Sequence, residues 1–185
     1  MVLKEIRLSD STGLNIAVFI ASLIFYQILG CVPPILLVSA YALLEFRRRN
    51  KRLLSIKVGR KYVAYALSAG LVVGASSAMF FETSVSGPAL GVASTIVLIA
   101  FAEELIYRYA LLKLLLEIYG AGSPLLPIIF SSAFFAIFHE MAVLPVALIA
   151  GLILGWLAVR SDSVLTPILM HITANSSFYI LSKLC

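Results

Sequence analysis

Eight residues, Phe101-Ala102-Glu103-Glu104-Leu105-Ile106-Tyr107-Arg108, place two carboxylates and a guanidinium inside a run that is otherwise mostly apolar from residue 90 to 112. A charge at the centre of a bilayer costs about 2.5–3.5 kcal/mol even on the lenient insertion scales. Three within six residues need an internal ion pair, a catalytic role, or both. On a helix Glu104 and Arg108 are at i and i+4, share a face and can pair. Glu103 is rotated by about 100° from Glu104 and stays a free carboxylate unless another helix supplies its partner. A packing ion pair explains Glu104 and Arg108; it does not explain Glu103.

The chain has two histidines, both in or at the ends of apolar stretches. His139 closes Phe134-Phe135-Ala136-Ile137-Phe138-His139, and His171 opens His171-Ile172-Thr173-Ala174-Asn175, where Asn175 lies at i+4 on the same face. One histidine in a membrane helix is as often structural as chemical. Two of them, an asparagine in register and an unpaired glutamate offer a base, a proton shuttle and hydrogen-bond donors on three helices, which are the parts a water-using hydrolase needs. Glu103, His139 and His171 also form a two-His, one-carboxylate set that zinc accepts when water fills its fourth position. None of them belongs to a local motif such as His-Glu-x-x-His, so no metal and no other cofactor is the expectation, and zinc is the alternative. Glu140 reads as an interfacial residue, with orientation of His139 as its chemical alternative. Tyr107, Tyr109, Tyr119 and Trp156 read as packing or interface aromatics, Lys113 and Glu117 as the near-interface end of their helix, and Arg160 with Asp162 as a solvated turn.

The elements that carry these groups follow from composition. The 185 residues are 62% hydrophobic and 12% charged, with a mean hydropathy of +1.06; soluble domains carry about twice that charged fraction. Apolar runs of bilayer length, roughly 20 residues, recur along the chain, which predicts an all-α, polytopic transmembrane bundle of six to seven crossings. Residues 14–46 are broken by Gly30 and Pro33-Pro34 and read as two short helices hinged at Cys31-Val32-Pro33-Pro34, since a double proline removes two ladder hydrogen bonds; one long kinked helix is the alternative, and the two readings put the N-terminus on opposite sides. Further spans are expected at 62–81, 89–119, 125–141, 145–159 and 164–181, with residues 1–13 as a flank and turns at 82–88 and 120–124. Gly151 and Gly155 have close-packing spacing, as do several small residues of 62–81. The chain divides into residues 1–61, a membrane hairpin with a basic loop, and a core of residues 62–185. Eight of the 14 Lys and Arg fall between Arg47 and Lys61. Between two spans, such a cluster marks a cytoplasmic loop resting on anionic lipid rather than a nucleic-acid site. Cys31 and Cys185 suggest neither a disulfide framework nor a metal pair.

In order, Glu103-Glu104-x-x-x-Arg108, Phe135-x-x-x-His139 and His171-x-x-x-Asn175 resemble the motifs of the CPBP family, the CAAX proteases and bacteriocin-processing enzymes of the type II CAAX prenyl endopeptidase kind. The resemblance covers residues 92–178, including the 151–157 segment and the 163–171 approach to the last motif. Each motif is weak alone; all three in successive helices are specific. The resemblance implies an intramembrane glutamate-type endopeptidase in which Glu103 acts as general base on water with help from His139. His171 and Asn175 would stabilise the oxyanion, and Glu104 with Arg108 would hold the motif helix. Its substrate would be a peptide or protein tail presented at the membrane, such as a prenylated tail, a bacteriocin leader or a sorting segment. Membrane lipids, and no nucleic acid, are the other expected partners, in a multi-pass protein of the cell membrane. A non-catalytic immunity or scaffolding protein of the same fold is the alternative.

Overall fold

Gly30 decides how the first apolar stretch folds. The computed structural model describes residues 10–47, 58–81, 88–119 and 123–184. Helix α1 (Asp10–Leu29) stops at Gly30, whose φ of +79° is left-handed backbone that favours glycine. The Gly30 N–H donates to the Tyr26 carbonyl at 3.2 Å. Helix α2 (Val32–Arg47) follows at once, with Pro33 and Pro34 in its first turn, where a missing N–H removes no intrahelical bond. The hinge expected at Cys31-Val32-Pro33-Pro34 lies instead at Gly30-Cys31, because glycine makes it and the prolines start the next helix. The two helices form a hairpin: Asn15 of α1 donates to Glu117 at 2.5 Å, and Tyr41 of α2 lies 5.2 Å beneath the Lys113 ammonium, one helical turn away. α1 begins at Asp10, inside the stretch expected to be a flank.

Helix α3 (Arg60–Ala78) precedes a long rod made of α4 (Ala89–Glu104), a π-helical segment (Leu105–Leu112) and α5 (Lys113–Tyr119). Helices α6 (Leu125–Ile137), α7 (Leu144–Ser161) and α8 (Leu165–Leu181) complete the described chain. Counting the rod once, the described residues form seven helices. Thr12–Leu29, Leu90–Tyr119 and Leu144–Ser161 are long and apolar enough to cross a membrane. The exterior is apolar too: Ile28, Leu36, Val72, Leu90 and Ile149 are all more than half exposed. A surface of that kind belongs in lipid. The chain is an all-α integral membrane protein. Of its basic cluster, Arg60 and Lys61 start α3, while residues 48–57 lie outside the described residues, as do residues 82–87, 120–122 and Cys185. Cys31 is a free thiol.

Two glycine pairs set the helix contacts. A Cβ on Gly151 would stand 3.0 Å from Ser132 Cβ, and one on Gly155 3.0 Å from Ile128 Cγ2, so α7 packs antiparallel on α6 through the expected pair. On α3, a Cβ at Gly70 would stand 2.6 Å from the Met170 carbonyl oxygen, and one at Gly74 would collide with the Ser177 hydroxyl and the Ala174 carbonyl. Both neighbours advance by four residues with the glycines, so α3 and α8 run parallel. Gly74→Val is expected to destabilise the bundle by about 1–3 kcal/mol through overpacking, while Gly91→Val, with nothing within 4 Å of its added Cβ, leaves the melting temperature in detergent unchanged.

The π-helical segment was not expected. Residues 89–119 read as one α-helix, yet directly after Glu104 the hydrogen bonding shifts to i→i+5 for eight residues, all buried. Such widened turns inside α-helices are frequent at functional sites.

Candidate active site

The last turn of α4 and the first turn of the π-helical segment bring the charges together. Arg108 Nε lies 3.1 Å from Glu104 Oε2, and both side chains have no exposed surface. Arg108 also donates from Nη2 toward the Gly151 carbonyl at 3.5 Å, and its guanidinium lies 4.7 Å from the centre of the Phe135 ring. The ion pair expected from i, i+4 spacing is therefore tied to α6 and α7 as well.

Glu104 does more than hold Arg108. Its Oε1 accepts a hydrogen bond from His171 Nδ1 at 2.9 Å. The other nitrogen of the same ring, Nε2, stands 3.6 Å from Glu103 Oε2. Glu103 is in turn held by Tyr26 of α1, whose hydroxyl donates to Oε1 at 2.6 Å. Glu103 is thus not the free carboxylate that helix geometry alone suggests, because α1 and α8 both supply partners. The division of Glu104 as structural and Glu103 as chemical does not describe the contacts: one imidazole sits between both carboxylates.

Phe135 explains why an aromatic stands four residues before His139. Its carbonyl accepts the Nδ1–H of His139 at 2.8 Å. Its ring meets His139 at 4.5 Å, Tyr107 at 5.4 Å and His171 at 5.8 Å between centroids. With Nδ1 spent on a carbonyl, the neutral His139 ring carries its lone pair on Nε2. Glu140 does not orient this ring; it is exposed, and the Phe135 carbonyl has that task. Helix α6 ends at Ile137 with Phe138 as its C-cap, short of the expected end of that span, and His139 follows with its backbone N–H on the Ala136 carbonyl at 2.9 Å.

His139, His171 and Asn175 line one cavity of about 190 Å³ between α3, α6, α7 and α8, whose other walls are largely apolar. One water needs only ~10–15 Å³ of such space. The geometry therefore joins the six expected residues in two overlapping groups. Arg108, Glu104, His171 and Glu103 form a chain of contacts in that order, and His171 shares the cavity wall with His139 and Asn175. Among the described residues, no three His, Cys, Asp or Glu side chains gather as a group able to hold a metal ion.

Two features of the site were missed. Tyr26 lies 77 residues before its partner, and nothing in the pattern of α1 marks this tyrosine over its apolar neighbours. Lys113 is buried rather than near an interface: its ammonium lies 5.2 and 5.4 Å from the Tyr41 and Tyr109 rings, and Glu117 approaches it at 3.9 Å. Tyr107 and Tyr109 are packing residues, as expected, and are fully buried.

A family model described as type II CAAX prenyl endopeptidase Rce1-like matches residues 85–177. That segment contains Glu103, Glu104, Arg108, His139, His171 and Asn175, and it excludes Tyr26. No curated protein and no solved structure matches the chain.

Proposed function

The chain belongs to the Rce1-like type II CAAX prenyl endopeptidase family, a family of CAAX-type intramembrane proteases, and from that premise we propose that it is a glutamate-type endopeptidase of the cell membrane. The observation that carries this reading is the clasp of His171 between Glu103 and Glu104 at the edge of a cavity it shares with His139 and Asn175.

In the proposed reaction, a peptide carbonyl enters the cavity beside a water. Glu103, with one oxygen held by Tyr26, takes a proton from that water as its oxygen attacks the carbonyl carbon. The carbonyl π electrons move onto oxygen, and the oxyanion is stabilised by His171 Nε2–H and the Asn175 amide. Donors of this kind are worth about 2.7–4 kcal/mol each in the best-studied cases. His139 relays the proton from Glu103 to the departing amine through Nε2, the oxyanion electrons re-form the C=O bond as the C–N bond breaks, the amine leaves, and the new carboxylic acid gives up its proton to solvent. Since Glu104 is paired with Arg108 and ionised, it accepts from Nδ1–H, so the donor role requires His171 as an imidazolium. The four groups then carry two negative and two positive charges. A net-neutral cluster is what a low-dielectric interior favours.

The test is cleavage of a membrane-presented peptide by purified protein after exhaustive chelation. Retained cleavage without stoichiometric zinc, lost in His139→Ala, is expected. Loss on chelation that zinc restores would replace the glutamate mechanism by a zinc one. A cellular phenotype that persists in folded Glu103→Ala and His139→Ala proteins would replace the enzyme by a scaffold.

A further inference from the structure

The direction from which the cavity is reached can be read from helix register and charge. One end of the bundle gathers Val18 and Tyr41 of the hairpin, Leu112 and Leu116 of the long rod, Ala158 of α7 and Val164 just before α8 in one buried core cluster. α3 runs parallel to α8, so its start at Arg60 lies at this end too. In the sequence, Lys4 and Arg7 precede α1, eight cations fall from Arg47 to Lys61 between the end of α2 and the start of α3, and Arg160 lies in the last turn of α7. In the sequence flanking the other helix ends there is one cation, Lys183. Arg108 and Lys113 are buried inside. An asymmetry of eleven cations to one in the segments flanking the helices sets the crowded end in the cytoplasm.

The cavity lies on the other side of His171 from that end. Its deepest walls are Leu154 and Met170, beyond which the cytoplasmic half is filled by buried side chains including Leu157, Ala158 and Ile168. From His171 it runs past Ser77, Val143 and Phe178 to Phe81, all toward the ends of α3 and α8 and the start of α7 that lie away from the basic loop.

We infer that the cavity opens to the non-cytoplasmic face and that the substrate is a peptide segment with apolar side chains presented on that face, rather than a tail presented from the cytoplasm. The polar end of the segment faces His139 and Asn175, and its apolar side chains meet Val143, Ala147, Ala150 and Phe178. This inference rests on the protease reading of the same cavity for its substrate but not for its sidedness.

The experiment uses full-length protein with Cys31→Ser and Cys185→Ser, carrying Ser77→Cys or Val143→Cys in the cavity or Ser123→Cys, exposed at the basic end, as reference. A membrane-impermeant maleimide is applied to right-side-out and inverted vesicles. Ser77→Cys and Val143→Cys are expected to react at least tenfold faster in right-side-out vesicles, and Ser123→Cys faster in inverted ones. Cavity thiols that react faster from the cytoplasmic side, or equally slowly from both, overturn the inference. In a second arm, a reporter with an apolar tail is exported or retained in the cytoplasm. Cutting of the exported form supports the substrate class, and cutting of the retained form overturns it. Cutting of neither removes the protease reading, while the labelling still decides which way the cavity faces.

Discussion

Glu103→Gln is expected to lower the rate of peptide cleavage by about 10³-fold while leaving the bundle folded. A positioned general base contributes roughly 10²–10⁴-fold, and an amide cannot take the proton of the attacking water. The substitution is close to isosteric, and its amide oxygen still accepts the Tyr26 hydroxyl that now sits 2.6 Å from Oε1. Substrate binding, governed by the apolar cavity walls, changes little. The loss should therefore appear in kcat rather than KM. Single-turnover cleavage in detergent, beside a melting curve of the same preparation, reads both. A variant that melts with the wild type but retains more than a tenth of its rate would place the base elsewhere.

Arg108→Met is expected to destabilise the protein by about 3–5 kcal/mol, the usual cost of stripping one partner from a buried ion pair. Arg108 has no exposed surface and faces Glu104, the Gly151 carbonyl and the Phe135 ring at once. Removing it leaves Glu104 charged in an apolar interior and loosens the contact of the long rod with α6 and α7. The double variant Glu104→Gln, Arg108→Met should recover most of that loss, because replacing both members of a buried pair is often near neutral. Unfolding midpoints in mixed detergent measure the series. Equal losses in the single and the double variant would show that Arg108 acts by shape and not by charge.

Much of this arrangement is written in local spacing. Glu104 and Arg108 pair because i and i+4 meet on a helix, and Phe135 serves His139 through the same spacing by way of its carbonyl. Gly151 and Gly155 face α6 as their four-residue interval implies. What local spacing leaves unsaid is tertiary. Glu103 finds Tyr26 across the bundle, and His171 reaches Glu104 as well as Glu103, because α1 and α8 flank the end of α4. Lys113 is buried because the Tyr41 and Tyr109 rings cover its ammonium, and no pattern within its own helix announces that. The shift to π-helical hydrogen bonding after Glu104 leaves no mark in an apolar run, where a three-to-four and a four-to-five repeat look alike. The hairpin turn was visible as a break, but its agent is Gly30 and not the proline pair.

The decisive measurement is cleavage by the purified wild-type chain, chelated and reconstituted in lipid, in water enriched in ¹⁸O. Hydrolysis by a Glu103-activated water predicts one new internal carboxyl terminus carrying a single ¹⁸O, at a rate untouched by chelation and absent from an identical Glu103→Gln preparation. An intact peptide, or a product whose formation depends on added zinc or survives in Glu103→Gln, would contradict it.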